Sequence, residues 1–112
     1  MKDPYGVLEL TRKLDREPNI DTALHIIMWE LGDLAKSHVY SNWHPDLATS
    51  YRAEAKLALA SLLFQVHVVA ALLEASPTEL LNIGIATVQD RINEMEKKIG
   101  RFEHYIGEKK DE

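Results

Sequence analysis

Apolar residues recur along residues 20–34 at alternating spacings of four and three, which is the periodicity of one face of an α-helix. The apolar positions in this stretch are Ile20, Leu24, Ile27, Leu31 and Leu34. Asn19 and Asp21 are both suited to cap such a helix. A break is expected in residues 41–46, where Pro45 stands among short polar residues that favour turns. The pattern predicts a helix of roughly five turns with a single apolar stripe.

A shorter helix is predicted before this one. Asp3 followed by Pro4 marks its start, because aspartate accepts hydrogen bonds from free amide groups and proline lacks the N–H that would stay unpaired in a first turn. The helix is expected to run to about Leu14 or Arg16 and to stop before Pro18.

A third helix is predicted to start near Pro45 or Leu47 and to reach Glu74. Residues 57–73 contain no charged side chain, so this helix is apolar on nearly every face. Such a helix lies at the centre of a bundle or crosses a membrane. We favour the bundle, because the stretch is at the short limit for a span. It is also interrupted by the polar residues Ser61, Gln65 and His67.

The last helix has the clearest start signal of the chain. In Ser76-Pro77-Thr78-Glu79, serine caps, proline takes the first helical position and glutamate reaches back to the cap. A heptad-like apolar seam follows. Its positions are Leu81, Ile85, Val88, Ile92, Met95, Ile99, Phe102 and Ile106. The charged tail, residues 108–112, is expected to fray.

These elements predict an all-α fold, an antiparallel helical bundle of about four helices with a short first helix and three long ones. The length of 112 residues fits a single domain, residues 1–112. The apolar central helix and the long seam both need more covering surface than their neighbours provide. We therefore expect a homodimer or larger homo-oligomer, the alternative being a compact monomer whose helices cover one another.

Composition narrows the function classes. The formal net charge of −5 argues against general nucleic-acid binding. The absence of cysteine excludes a thiolate zinc site or a thiol nucleophile and fits a reducing compartment. Residues 1–6 have no signal-peptide pattern, so a soluble cytoplasmic domain without membrane contact is expected.

Glu30 and Asp33 are the first candidate site residues. They stand three apart on the predicted second helix, so both carboxylates project from adjacent turns of one side, at the edge of the apolar stripe. Magnesium takes oxygen ligands of this kind and completes its shell with water and phosphate. The alternative is an ordinary solvated acidic face.

Glu54 extends this candidate site. With Ala58, Ser61 and Gln65 it forms a narrow polar line along an otherwise apolar helix, and such a line must face water, another polar group or a ligand. If the second and third helices pack antiparallel, the line could face Glu30 and Asp33. A hydrogen-bonding seam inside the core is the alternative. Arg52 and Lys56 are candidates to neutralise phosphate charge or are simply solvated.

Other chemistries find no support in the sequence. The five histidines form no His-x-x-x-His pair, so zinc hydrolysis is unsupported, and His67 is expected to be a packed histidine rather than a ligand. No serine-nucleophile motif or glycine-rich phosphate loop occurs. Trp29 and Trp43 could stack a nucleobase, although packing is the commoner use of tryptophan.

Two runs of sequence resemble a known family. The run of residues 23–35, ALHIIMWELGDLA, is similar to the first motif helix of the MazG-type all-α nucleoside triphosphate pyrophosphohydrolases, which carries Glu-Glu-x-x-Glu. The run of residues 58–66, ALASLLFQV, is similar to their second motif helix, in which Glu-x-x-Asp precedes Leu-Leu-x-Gln-Val. The order of helices and the expected dimerisation also match, and the resemblance spans roughly residues 20–95.

The chain departs from the family pattern at several acidic positions. Trp29 stands where the first glutamate would be, while Glu30 and Asp33 keep the other two acidic positions of that motif. Ala58 and Ser61 replace the Glu and Asp of the second motif. Glu54, one turn earlier on the same face, is a candidate substitute. The family's downstream Lys, Asn and Arg positions for the triphosphate have no clear counterparts around residues 89–93.

The resemblance implies magnesium-dependent hydrolysis of a nucleotide between its α- and β-phosphates, with Glu30, Asp33 and Glu54 holding the metal. No catalytic residue beyond these metal ligands is assigned. A catalytically inactive helical dimer that binds a nucleotide or a protein is the alternative, as is an unrelated interaction module that docks through the last helix.

Overall fold

The computed structural model describes residues 3–14 and 16–110, with side chains described up to residue 100. It contains four α-helices and no strand in this described part: α1 (Val7–Lys13), α2 (Ile20–Trp43), α3 (Ala48–Leu72) and α4 (Pro77–Lys110). The predicted all-α fold with a short first helix and three long ones is confirmed. The chain divides into two compact units, residues 1–76 and residues 77–112. The single domain and the dimer stay predictions.

The first helix begins at Val7, so the predicted start at Pro4 is wrong. Asp3 and Pro4 instead lie in a turn closed by Gly6, whose amide donates to the Asp3 carbonyl oxygen at 3.1 Å. Gly6 has a φ of 67°, a left-handed conformation that glycine adopts without steric cost. The Asp3 carboxylate still binds the first turn of α1, because its Oδ2 accepts from the Leu8 amide at 3.1 Å. The predicted N-cap at Asp3 is therefore wrong, because Gly6 takes that position, although the Asp3 carboxylate accepts from amides of the first turn across the preceding turn.

The second helix is capped by Asn19, the first of the two predicted candidates. Its Oδ1 accepts from the Thr22 amide at 2.8 Å. The helix ends at Trp43, inside the predicted break, and a 3₁₀ turn at Pro45–Leu47 leads into α3. The break falls at His44 because a residue that precedes proline is driven out of helical geometry.

The third helix ends at Leu72, two residues before the predicted Glu74. Glu74 itself has a left-handed φ of 58°. The Ala75 amide donates to the Ala70 carbonyl oxygen at 2.9 Å, and the Glu74 amide donates to that of Ala71 at 3.1 Å. This pair of bonds is the Schellman motif, which normally has glycine at the left-handed position.

Glu74→Gly should therefore stabilise the protein by about 1 kcal/mol, because glycine takes this conformation without the steric penalty of a Cβ atom. The change in the midpoint of urea unfolding measures the effect. Glu17→Gly is the control: Glu17 is exposed and its φ is not positive, so that variant should be neutral or slightly destabilised. A loss of stability in Glu74→Gly would contradict the prediction.

Helices α2 and α3 pack antiparallel. The ring of Tyr40, near the end of α2, lies 5.6 Å from the ring of Tyr51, near the start of α3. At the opposite end Ala23 shares a buried cluster with Val68 and Ala71. Because the pairs 23 with 68 and 40 with 51 belong to one register, Glu30 lies opposite Ser61 in the same register.

The seam between these helices consists of small and polar residues. Ala23 and Ser37 are buried on α2 and lie fourteen residues apart, and Ala58 and Gln65 are buried on α3 and lie seven residues apart, so both pairs follow the heptad spacing. Glu30 lies midway between Ala23 and Ser37 and is half-buried. Small side chains let two backbones approach closely, so the larger apolar residues fall to either side of the seam.

The predicted apolar stripe of α2 therefore coincides only in part with its packed face, since Ile20, Ile27 and Leu34 are partly buried. Leu24 is 46% exposed and Leu31 is 55% exposed. On α3, Leu57, Leu59 and Leu63 are exposed as well, so within residues 1–76 this helix is not covered on several sides as expected. Sequence periodicity located the apolar residues correctly but not the line along which the helices meet.

Helices α2 and α3 form a helical hairpin, and the apolar core lies at the end of this hairpin that contacts α1. Val7 and Leu8 of α1 join Ala23, Val68 and Ala71 there. The partly buried Phe64, Val69 and Leu72 pack against this cluster. His67 packs edge-on against Tyr5, with ring centroids 4.9 Å apart, as expected for a packed histidine.

One helical stretch of the described residues, Pro45–Leu72, is long and apolar enough to cross a membrane by length and composition. Core helices of soluble proteins meet the same criterion. Within residues 1–76 it packs against α2 and α1, as a bundle helix does. The absence of membrane contact stays a prediction.

The fourth helix begins at Pro77, as the capping sequence predicted, and continues through Gly84 and Gly100 to Lys110. Residues 111 and 112 of the tail predicted to fray lie outside the described residues.

Candidate functional site

A groove of about 530 Å³ lies between α2 and α3. Its volume is in the range of small-molecule sites. The lining residues are Glu30, Asp33, Lys36, Ser37, Tyr40, Tyr51, Glu54, Leu57, Ala58 and Ser61. All three residues predicted from the sequence to hold a metal, Glu30, Asp33 and Glu54, line this single groove.

The antiparallel register explains why these carboxylates meet. It places Ser61 opposite Glu30 and Ala58 opposite Asp33, while Glu54 lies opposite Ser37, one turn further along α2. Glu30 is half-buried in the seam, whereas Asp33 and Glu54 are exposed at its edge. The polar line predicted on α3 therefore faces the acidic side of α2 from Glu54 to Ser61.

The three carboxylates do not converge on one point. Glu54 lies opposite Ser37, seven residues beyond Glu30, which is about 10 Å along the helix axis. Magnesium–oxygen bonds are about 2.1 Å long, so one ion does not reach both ends of this line. Accordingly, no three Asp, Glu, His or Cys side chains in the described part of the chain are grouped closely enough to hold a metal. Glu30 and Asp33, on adjacent turns, are the closest pair by position.

The groove carries an excess of negative charge. Its three carboxylates face one ammonium group, that of Lys36. Lys36 lies over the ring of Tyr40, with Nζ 5.6 Å from the ring centroid. Among the described residues none of the three carboxylates has a side-chain hydrogen bond or an ion pair. Unpaired carboxylates in a groove attract a cation.

An aromatic cluster lies at one end of the groove, where Tyr40 and Tyr51 line it. Tyr40 lies 5.7 Å from Trp43, and Tyr51 lies 6.2 Å from His44, measured between ring centroids. Trp43 is outside the groove lining but is 69% exposed, so it is accessible next to Tyr40. The sequence had pointed to Trp43 but not to the tyrosines, although Tyr40 follows Asp33 by seven residues and so shares its helix face.

Several other residues considered from the sequence lie elsewhere. Trp29, Arg52 and Lys56 do not line the groove, and Lys36, which does, was missed. Gln65, predicted on the same polar line, is buried beside Thr11 near the α1 end, where its Oε1 has no hydrogen-bond partner among the described residues. The polar line of α3 is therefore divided: Glu54 to Ser61 line the groove, and Gln65 lies at the packed end of the hairpin.

No protein-family model, curated protein or solved structure matches this chain. The resemblance to the MazG-type enzymes consequently depends on the motif residues and on how the fold arranges them.

Proposed function

We propose that this chain is a divergent MazG-like nucleoside triphosphate pyrophosphohydrolase of the cytoplasm. It would hydrolyse a nucleoside triphosphate to the monophosphate and pyrophosphate in a magnesium-dependent reaction. The groove between α2 and α3 would be the active site. The proposal combines the motif resemblance with the placement of the residues that carry it.

The supporting observation is the position of the two motif segments relative to each other. Glu30 and Asp33 keep acidic positions of the first motif, and Ser61 and Ala58 occupy the acidic positions of the second. The antiparallel register sets Ser61 opposite Glu30 and Ala58 opposite Asp33, and all four line one groove. The two motif segments therefore face each other across one groove, and this placement supports the proposal.

The donor set of the groove suits magnesium. Oxygen ligands are what this ion prefers, and in phosphoryl-transfer sites one or two protein carboxylates suffice because substrate phosphates and water complete the shell. Glu30 and Asp33 would hold the ion. Glu54, one turn further along the groove, would add negative charge without binding the same ion. When bound, magnesium polarises a phosphoryl oxygen and lowers the pKa of a water ligand.

The rest of the groove suits a nucleotide. Lys36 offers the positive charge that a triphosphate requires, and the aromatic cluster at Tyr40, Trp43 and Tyr51 offers a stacking surface for a base. Asp33 and Tyr40 lie seven residues apart on one helix face, which is about 10 Å. One groove thus carries groups suited to the metal, the phosphates and the base.

A non-catalytic, nucleotide-binding role is the second candidate. The observation that favours it is the absence of carboxylates at Ala58 and Ser61, which leaves the groove with fewer negative charges for the metal. A groove that keeps its aromatic cluster and its lysine but binds magnesium weakly would hold a nucleotide without hydrolysing it.

Product analysis distinguishes the two. The purified protein is incubated with a panel of ribo- and deoxyribonucleoside triphosphates plus magnesium, and the products are separated by anion-exchange chromatography. Formation of monophosphate and pyrophosphate in equal amounts is the expected result. The absence of turnover with magnesium and with manganese, at high protein concentration, would refute catalysis.

Thermal unfolding with and without nucleotide then tests the second candidate. A nucleotide that raises Tm without being hydrolysed would identify a binding protein. Quenching of Trp43 fluorescence, measured in a Trp29→Phe background, would locate the base at the aromatic cluster. If no nucleotide changes Tm or fluorescence, both candidates are wrong.

A further inference from the structure

The heptad positions of the apolar seam of α4 indicate which kind of helix would pair with it. A single helix cannot bury its own seam, and the six seam side chains described in α4 are exposed. They are Leu81, Ile85, Val88, Ile92, Met95 and Ile99. Steps of four and three alternate without interruption, so Ile85, Ile92 and Ile99 take heptad position a. Leu81, Val88 and Met95 take position d.

The residue types at these positions favour two strands. Every a position from residue 85 onward is isoleucine, and in the sequence this continues at Ile106. No d position is isoleucine; the d residues are Leu81, Val88, Met95 and, in the sequence, Phe102. Isoleucine at a with leucine at d favours parallel dimers, whereas isoleucine at both positions favours trimers or tetramers. Val88 is the one β-branched d residue of this seam.

The charges that flank the seam decide the orientation. Arg91 takes position g, and Glu96 takes the following e position. In a parallel pair, g of one strand faces the next e of its partner, so arginine meets glutamate. The sequence repeats the arrangement one heptad later with Lys98 and Glu103. An antiparallel pair would instead bring g against g and e against e, placing like charges together.

We propose that α4 forms a parallel, in-register, two-stranded coiled coil with α4 of a second copy of this chain. The isoleucine a positions and the Arg91–Glu96 charge pattern determine its two-strandedness and its direction. The inference does not depend on the proposed activity, because it concerns residues outside the groove. It goes beyond an expectation of dimerisation in naming the helix, the register and the charge pairs.

The absence of cysteine from the chain allows a direct test with single-cysteine variants of the full-length protein. Leu81→Cys is at a d position near the start of the seam, where the two copies meet only in a parallel, in-register pair. Mild oxidation should convert most of this variant to a disulfide-linked dimer of twice the 12.8 kDa chain mass. Asp90→Cys, at the outward f position, is the control and should stay largely uncrosslinked.

A charge-exchange series provides the second measurement. Arg91→Glu and Glu96→Arg should each raise the dimer Kd about tenfold, since every dimer would contain two repulsive pairs, and the double variant should restore the original Kd. Light scattering and sedimentation give the mass and the Kd, and circular dichroism verifies helicity. A monomeric parent protein would overturn the proposal. So would a Leu81→Cys dimer that does not crosslink faster than the control, or a double variant no tighter than the single ones.

Discussion

Leu8→Ala is expected to lower the free energy of unfolding by about 3 kcal/mol, the usual cost of removing a fully buried leucine side chain. Leu8 is 2% exposed and is one of the few large side chains completely enclosed in the described structure. It attaches α1 to the end of the hairpin through Val68 and Ala71. Because the α2–α3 seam is built from small and polar residues, this cluster carries a large share of the apolar burial of residues 1–76.

Leu10→Ala is the matched control, since Leu10 lies on the same helix and is 48% exposed. Its truncation should cost less than about 1 kcal/mol. Urea unfolding monitored by circular dichroism measures both variants. Equal losses for the two leucines would mean that the α1 cluster does not contribute as its burial indicates.

If the groove is the proposed active site, Glu30→Gln is expected to reduce nucleotide hydrolysis at least about 100-fold, because it would remove a charged ligand of the proposed magnesium ion. Stability should change little or increase. Glu30 occupies a half-buried position between Ala23 and Ser37, where an uncharged side chain of equal size costs less to desolvate than a carboxylate. Loss of activity together with unchanged or raised Tm would therefore identify a functional carboxylate.

Asp21→Asn provides the control on the same helix. Asp21 is exposed in the first turn of α2 and does not line the groove. Its removal should leave the rate within about twofold of the parent, with only a small loss of stability from the helix dipole. If Glu30→Gln retains the parent's rate, Glu30 does not hold the metal and the assignment of the groove must be abandoned.

In the α2–α3 seam, a carboxylate takes a half-buried position that packing alone would give to an apolar residue. Two long antiparallel helices usually meet along their apolar stripes, yet here Leu24 and Leu31 are exposed while Glu30 is half-buried. Departures of this kind, in which a carboxylate occupies a position that an apolar residue would fill with more stability, concentrate at functional sites. The same arrangement leaves leucines on α2 and α3 exposed.

The helices and most of their ends follow from local physics, which is why they could be predicted. Asn19 and Pro77 each provide a start signal that acts within one turn of its own position. The start of α1 was misplaced because Gly6 takes a left-handed conformation and lets Asp3 reach Leu8 across a turn. The residue at which α1 begins therefore depends on Gly6 as well as on the Asp3 carboxylate.

The candidate site could be predicted only in part. Glu30 and Asp33 share a helix face whatever the tertiary fold, because residues three apart lie on adjacent turns. That Glu54 joins them in one groove required the antiparallel packing of α3, which periodicity alone does not determine. Tyr51 was missed for the same reason, whereas Lys36 and Tyr40 share a helix side with Asp33 and could have been found from their spacing.

Helical periodicity and capping are properties of neighbouring residues, so the sequence alone was sufficient for the four helices, for the pairing of Glu30 with Asp33 and for the heptad register of α4. The line along which α2 meets α3 depends on how closely two backbones approach. That distance is set by Ala23, Ser37 and Ala58 together, residues up to 35 positions apart in the chain. The small seam, the exposed leucines beside it and the 10 Å offset of Glu54 from Glu30 therefore became visible only in the packed hairpin.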